Sequence, residues 1–458
     1  MAVLFLATLL AASANIRALA LPALDDCFYA RKGVEMARSG GFYTVTWNGS
    51  PTFQNPPLVP WLLARSFSAF GENDVAARLP SLVMALGLVL AAARLGKRLS
   101  GGPEAATGVA LLVASPLFMN HARRCMMEVP LAFFVTVSML VLVEGLARPG
   151  LLLLFALPLG GALLTKSLLG LLPLFLAAVA AALSAPFRRA VLSLRFLLGA
   201  VGGLALGASW PIQQALTLGP GAVRAHFVGE ILSRSLESGR PWGILLDYPT
   251  ALLLSFQPAV LPGLAGAWLL IRRWRSAPED AAVLLPLWAV GPVLLYSFSQ
   301  ARSPRYIFPV LPALALCGGV WLAARFPRTA RVLRAAVVPG LLAIAAVIFW
   351  TRPSLLVKVG TAPFKAAIIQ ARVPTGEPVT YFGTRYWGFA NPLLYYGERW
   401  LEFSRPSVSD AIAVARSRRS GVLLVDRDRL EELAGTGYSI VAEGSEWLLL
   451  DLAGPGRR

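Results

Sequence analysis

Residues 24–30 read Leu24-Asp25-Asp26-Cys27-Phe28-Tyr29-Ala30. Before them, Ala2 to Leu21 is apolar except for Asn15 and Arg17. After them runs an amphipathic segment with Phe28, Tyr29, Val34, Met36 and Ala37, which ends at Ser39-Gly40-Gly41. Charge inside hydrocarbon is costly, so two carboxylates directly after an apolar run are expected at a membrane surface. The opening run lacks a basic start and a cleavage site ahead of Asp25. It reads as a first membrane helix rather than a signal peptide.

Composition extends that reading to the whole chain. Of 458 residues, 56% are hydrophobic and 14% charged, against roughly 25% charged in soluble domains. The net charge of +18 would suggest nucleic acid in a soluble protein. Here no basic, aromatic-interleaved soluble segment exists, and arginines anchoring the cytoplasmic ends of membrane spans account for the charge. The 3 cysteines (Cys27, Cys125, Cys317) lie far apart without a CxxC pair, so neither a disulfide framework nor a metal site follows. Only 2 histidines exist, which excludes a His-rich metal centre.

Residues 22–75 are too polar to span and too long for an idle turn, and read as an outer loop with short interfacial helices. Further apolar runs follow, among them Ala105 to Met119, Leu151 to Thr165, Ser167 to Pro186 and Tyr248 to Ile271, up to Ala335 to Trp350. With the first run they predict about eleven transmembrane helices within residues 1–350. If the N-terminus is cytoplasmic, the loops on that side hold Lys97-Arg98, Arg148, Arg188-Arg189, Arg272-Arg273 and Arg325 to Arg334, short and basic as the positive-inside rule requires. The opposite face holds Asp25-Asp26, Arg123-Arg124 with Glu128, Lys166, the Gln213 to Asp247 loop, and Arg302 with Arg305.

After Trp350 the pattern changes. Pro363 to Ala371 reads as an amphipathic helix, Pro378 to Phe382 and Gly421 to Asp426 as strands, Asn391 to Tyr396 and Ser407 to Ser417 as helices, and Tyr438 to Ala442 with Trp447 to Leu452 as paired strands. Residues 351–458 are expected to form a small α/β extracytoplasmic domain. It carries no phosphate loop, GxGxxG fingerprint or nucleophile elbow.

Five segments, in order, carry a resemblance. They are Asp25-Asp26-Cys27-Phe28-Tyr29-Ala30 with Glu35 to Gly40; Phe53-Gln54-Asn55-Pro56-Pro57-Leu58; Ala122-Arg123 with Glu128 to Phe134; Thr165-Lys166-Ser167; and Arg305-Tyr306 with Pro309 and Pro312-Ala313-Leu314. Over residues 21–316 the chain resembles the polyprenyl-phosphate-dependent membrane glycosyltransferases (GT-C fold) of the protein mannosyltransferase and aminoarabinose-transferase type. It departs from their pattern at Asp26 for Glu, Asn55 for Lys, Glu128 for Asp and Ser167-Leu168 for Gly-Pro.

The resemblance implies an α-helical polytopic membrane protein that moves a sugar from a polyprenyl-phosphate donor to a lipid, glycan or protein acceptor. The site would face the extracytoplasmic side of the inner membrane. Such transfer needs a carboxylate to deprotonate or orient the acceptor and cations to stabilise the departing phosphate. Asp25 is the candidate base, with Asp26 as alternative or partner. Arg123, Lys166 and Arg305 are candidates for the phosphate; Glu128, Tyr306, Tyr29 and Asn55 complete the expected substrate-binding set. The plainer readings are a helix N-cap for Asp25, a snorkelling lysine for Lys166, an interfacial anchor for Arg305 and a surface histidine for His226. No motif demands a cofactor, and whether the carboxylate pair holds a divalent ion through a sugar phosphate stays open. The rival function is a transporter or flippase of lipid-linked sugars, against which stands the lack of a clear inverted repeat.

Overall fold

The computed structural model describes residues 1–17, 20–22, 25–224, 227–228, 244–278, 280–297, 303–351, 372–374, 376–384, 387–403, 407–443 and 447–452. The expected helix at Pro363 to Ala371, and His226 and Arg302, lie outside the described residues.

Helix α1 (Ala2–Ser13) is followed by α2 (Asp25–Ser39), the helix that starts on the carboxylate pair. It stops where Gly40 takes a left-handed φ of +70°. A two-residue hairpin, β1 (Thr46–Trp47) and β2 (Ser50–Pro51), leads to α3 (Leu58–Phe70). Helix α4 (Asp74–Ser100) is capped by Asn73, whose side chain accepts from the amides of Val75 and Ala76. Next come α5 (Gly102–Val113) and α6 (Pro116–Ala122), bent 69° apart where Pro116 interrupts the ladder. Helix α7 (Glu128–Ala147) leads through a 3-10 stretch to α8 (Ala156–Lys166), and a 3-10 turn at Ser167–Leu171 leads on to α9 (Leu172–Leu183).

Among the described residues, 6 helices are long and apolar enough to cross a membrane, or up to 8 if each bent pair is one span. The chain is thus a multi-pass membrane protein, but its apolar runs do not map one for one onto full-length spans. The run at Leu151 to Thr165 and most of that at Ser167 to Pro186 fall within one stretch, Pro149–Leu183, and the run at Tyr248 to Ile271 is two helices bent by 115°. Ala2–Ser13, Leu58–Phe70 and Ala281–Ser297 are shorter apolar helices.

The core lies around the helix Leu311–Arg325, in which every residue from Leu311 to Val320 is buried. Its neighbours approach so closely that only glycine fits. A Cβ on Gly266 would lie 1.8 Å from the Cys317 carbonyl oxygen, and one on Gly319 would lie 2.3 Å from that of Glu104. Such small-residue contacts hold helices together where lipid removes the hydrophobic drive between them.

Residues 372–452 build a five-stranded sheet in the order β4-β3-β5-β7-β6. These strands are β3 (Val379–Phe382), β4 (Leu401–Phe403), β5 (Val422–Asp426), β6 (Ser439–Glu443) and β7 (Trp447–Asp451). Strand β3 runs parallel to β4 and β5, while β7 runs antiparallel to β5 and β6. Alternation along β5 feeds two cores. Val422 and Leu424 pack with Leu393 and Leu394 of the helix Trp387–Tyr396, and Leu423 and Val425 pack with Ala411 and Ala415 of the helix Val408–Ser417.

The sheet side grips the segment after α1. Arg31 of α2 donates to the Leu394 carbonyl at 2.8 Å, and Trp47 Nε1 donates to Asn391 Oδ1 at 3.0 Å. The Asn48 carboxamide bonds Leu401 in both directions, at 2.8 and 2.9 Å. The Tyr396 hydroxyl donates to Asp74 at 3.0 Å and accepts from the Leu21 amide at 2.6 Å. Glu35 pairs with Arg31 at 2.7 Å and accepts the amides of Asn48 and Gly49, which fixes the hairpin against α2.

Candidate active site

The first two residues of α2 diverge. Asp26 turns inward and is fully buried; it accepts from Arg124 Nε at 3.0 Å, Arg124 Nη2 at 2.5 Å and the Cys125 amide at 2.8 Å. Burial pushes its carboxyl above the usual carboxylate value, while Arg124 and the Cys125 amide pull it down. Asp25 keeps some exposure and its Oδ2 accepts from Arg305 Nη1. Both carboxylates sit in the first helical turn, where the N-terminal end of the helix dipole favours negative charge.

Arg305 and Tyr306 belong to a 3-10 turn, Pro304–Val310, that enters the central helix. Arg305 Nε also donates to Ser303 Oγ at 3.3 Å. Lys166 ends α8, because Ser167 leaves helical geometry with a φ of +20°. The turn that follows folds back so tightly that a Cβ on Gly170 would lie 2.5 Å from the Ala162 backbone. This geometry presents the Lys166 ammonium to Glu128 Oε1 at 3.1 Å and 5.1 Å from the centre of the Tyr306 ring. Glu128 opens α7 and is buried, and its Oε2 has no hydrogen-bond partner among the described residues.

The two ion pairs, Asp25–Arg305 and Glu128–Lys166, share one neighbourhood. Glu128 feels the charge of Arg305, and the buried Tyr29 hydroxyl feels Glu128, Asp25 and Arg305. Burial, reinforced by both carboxylates, pushes the Tyr29 phenol well above its usual value, so it stays a neutral donor.

Arg123 lies apart from this group. Its guanidinium donates to the carbonyls of Ala11 at 2.6 Å, Ala12 at 3.2 Å and Ala14 at 2.7 Å, closing the C-terminal end of α1, and it stacks 4.0 Å from the Phe349 ring. Its neighbour Arg124 is the one that reaches a carboxylate.

Asn55 accepts from Lys32 Nζ at 3.0 Å. Lys32 is fully buried on α2, its ammonium 3.7 Å from the Phe28 ring. An amine therefore stands beside position 55, delivered from α2. Lys32 is absent from the sequence-derived set, yet Asp25, Tyr29 and Lys32 follow the i, i+4, i+7 spacing of one helix face. Among the described residues, no group of three or more His, Cys, Asp or Glu gathers as metal ligands would.

A sequence profile of the family described as dolichyl-phosphate-mannose-protein mannosyltransferase matches residues 54–211. The undecaprenyl phosphate-alpha-4-amino-4-deoxy-L-arabinose arabinosyl transferase of Pseudomonas aeruginosa is 28% identical over 312 residues, which is 64% of this chain and 54% of that one. An uncharacterized protein of Aquifex aeolicus is 26% identical over 302 residues, 64% of this chain and 58% of its own. The chain thus spans little more than half the length of these curated relatives. Among solved structures, ArnT from Cupriavidus metallidurans bound to undecaprenyl phosphate superposes with a TM-score of 0.80 at 20% identity, over 99% of both chains. The archaeal oligosaccharyltransferase AglB from Archaeoglobus fulgidus, in complex with an inhibitory peptide and a dolichol-phosphate, gives 0.59 at 12% identity, over 94% of this chain and 69% of that one.

Proposed function

We propose that this chain, which has the GT-C fold of the polyprenyl-phosphate-dependent membrane glycosyltransferases, transfers a hexose or pentose from a polyprenyl-phosphate carrier to a lipid, glycan or protein acceptor. The observation that carries this reading is the meeting of two ion pairs, Asp25–Arg305 and Glu128–Lys166, from four segments far apart in sequence. Ionised groups set among apolar helices are costly and mark function more often than structure. Arg-rich short loops on one side support an orientation in the inner membrane with this site on the extracytoplasmic face.

In the reaction, the acceptor oxygen attacks the anomeric carbon while the bond from that carbon to the phosphate oxygen breaks. The polyprenyl phosphate leaves with the bonding electrons, and Asp25 takes the acceptor proton. Arg305 and Lys166 are the cations for the leaving phosphate, and Lys32 beside Asn55 is a third. As the phosphate binds, it competes with Asp25 for Arg305, which frees the carboxylate as base.

The test uses the purified full chain in detergent with labelled undecaprenyl-phosphate sugars, 4-amino-4-deoxyarabinose first, and an envelope extract as acceptor. Label is expected in an envelope fraction without a sealed membrane, and Asp25→Asn is expected to lower the rate by about 100-fold or more. Full transfer by Asp25→Asn would refute the assignment, and activity only across sealed vesicles would favour a flippase.

A further inference from the structure

Beside the Glu128–Lys166 pair sits a histidine to which the proposed reaction gives no role. His121 lies on α6, the second arm of the bent pair, and is 4% exposed. Its Nδ1 is 2.9 Å from the Leu117 carbonyl oxygen, and its ring centre lies 4.9 Å from that of Phe308. A carbonyl only accepts, so Nδ1 carries the hydrogen; when the ring is neutral, Nε2 keeps a lone pair. Nε2 is buried and has no hydrogen-bond partner among the described residues; the same holds for Glu128 Oε2. The two side chains lie within electrostatic reach of each other and of Arg305. Buried polar atoms without partners are few in native proteins, and each needs an explanation. Two of them stand beside one proposed reaction centre.

Both atoms are acceptors, so whatever completes them is a donor. A polyprenyl tail has no polar hydrogen, and an ionised phosphodiester has none either. Within the proposed lipid-linked donor, only the sugar carries several, on hydroxyl or amino groups. We infer that His121 Nε2 and Glu128 Oε2 form an acceptor subsite for hydroxyl or amino hydrogens of the transferred sugar, with His121 as a positioning residue. The inference rests on the donor class proposed above and adds a division of labour. Arg305 and Lys166 serve the phosphate, and His121 with the free oxygen of Glu128 serves the sugar.

The experiment compares binding of two probes to the full chain in detergent: undecaprenyl phosphate alone, and undecaprenyl phosphate carrying 4-amino-4-deoxyarabinose or glucose. His121→Phe keeps a ring against Phe308 but lacks the nitrogen; His121→Gln returns a polar group near the Nε2 position. The parent is expected to prefer at least one sugar-bearing lipid over the bare lipid. His121→Phe should lower affinity for that lipid about tenfold and leave the bare lipid unchanged, and His121→Gln should recover to within about threefold. The inference is overturned if the parent shows no preference, if His121→Phe keeps the full preference, or if it weakens both probes equally, which marks a structural role. The two readings fail separately. A parent that prefers the sugar-bearing lipid through His121 but transfers nothing removes the catalytic reading and leaves the subsite. A parent that transfers sugar with a preference indifferent to His121 removes the subsite alone.

Discussion

Lys166→Met tests whether the inner ion pair is held in a dry setting. The charges stand 3.1 Å apart, which at an effective dielectric of ~20 is about 5 kcal/mol of attraction. Desolvation of two ions, several kcal/mol each, offsets most of this, so the intact pair contributes little net stability. Breaking it is a different matter. Glu128 is 2% exposed, and its only hydrogen bond among those described comes from Lys166. Lys166→Met therefore strands a buried carboxylate, at a cost of about 3–5 kcal/mol. Glu128→Gln combined with Lys166→Met removes both charges and should recover most of that loss. Unfolding free energies in detergent for the two single variants and the double variant give the coupling, expected to be about 3 kcal/mol. Transfer should stay absent in the double variant although its fold returns, since the phosphate cation is gone. A loss below ~1 kcal/mol in Lys166→Met, the range of solvated pairs, or a cycle without coupling, would show the reasoning to be wrong.

Three further outcomes follow from the same geometry. In Arg124→Met the buried Asp26 loses its counter-charge; because the folded carboxyl lies above its unfolded value of 3.8, the penalty is absent below that pH and grows as pH rises above it. The melting temperature of Arg124→Met should thus fall more steeply than that of the parent from pH ~4 to ~7, and adding Asp26→Asn should flatten the difference. Ser167→Gly should raise stability by up to about 1 kcal/mol, since the residue sits at φ +20°, where glycine is less strained than serine; equal or lower stability by thermal unfolding counts against it. Arg123→Ala should cost about 2–4 kcal/mol through the freed carbonyls at the end of α1 while leaving undecaprenyl phosphate affinity unchanged; a matching loss of lipid binding would return Arg123 to the site.

The carboxylate-led helix and four of the five strands of the C-terminal sheet are legible because both rest on local periodicity, whereas the three-residue β4 (Leu401–Phe403) is too short to show one. Asp25 to Ser39 shows the helical repeat, and Val422 to Asp426 is a short apolar run rich in branched residues. Spans were less legible, because apolarity does not report a bend such as the one at Pro116. Partner choice was least legible. Arg123 and Arg124 are adjacent and identical, yet one closes α1 and the other meets Asp26. Only the path of the backbone between α6 and α7 decides which is which. Lys32 is not legible because its segment shows an apolar face in sequence, and a buried lysine there stands out only once Asn55 is brought beside it.

The grip of the sheet side on α2 and the hairpin has a consequence for inheritance. Arg31 reaches a carbonyl 363 residues away in sequence, and the Asn48 clasp spans nearly as far. The position of Asp25 thus depends on segments separated by 363 and 353 residues of sequence. A chain cut after Thr351 would keep the helices that cross the membrane and lose the brace for its reactive carboxylate. Grafting a C-terminal sheet from one relative onto another would succeed only if the 46–51 hairpin travelled with it.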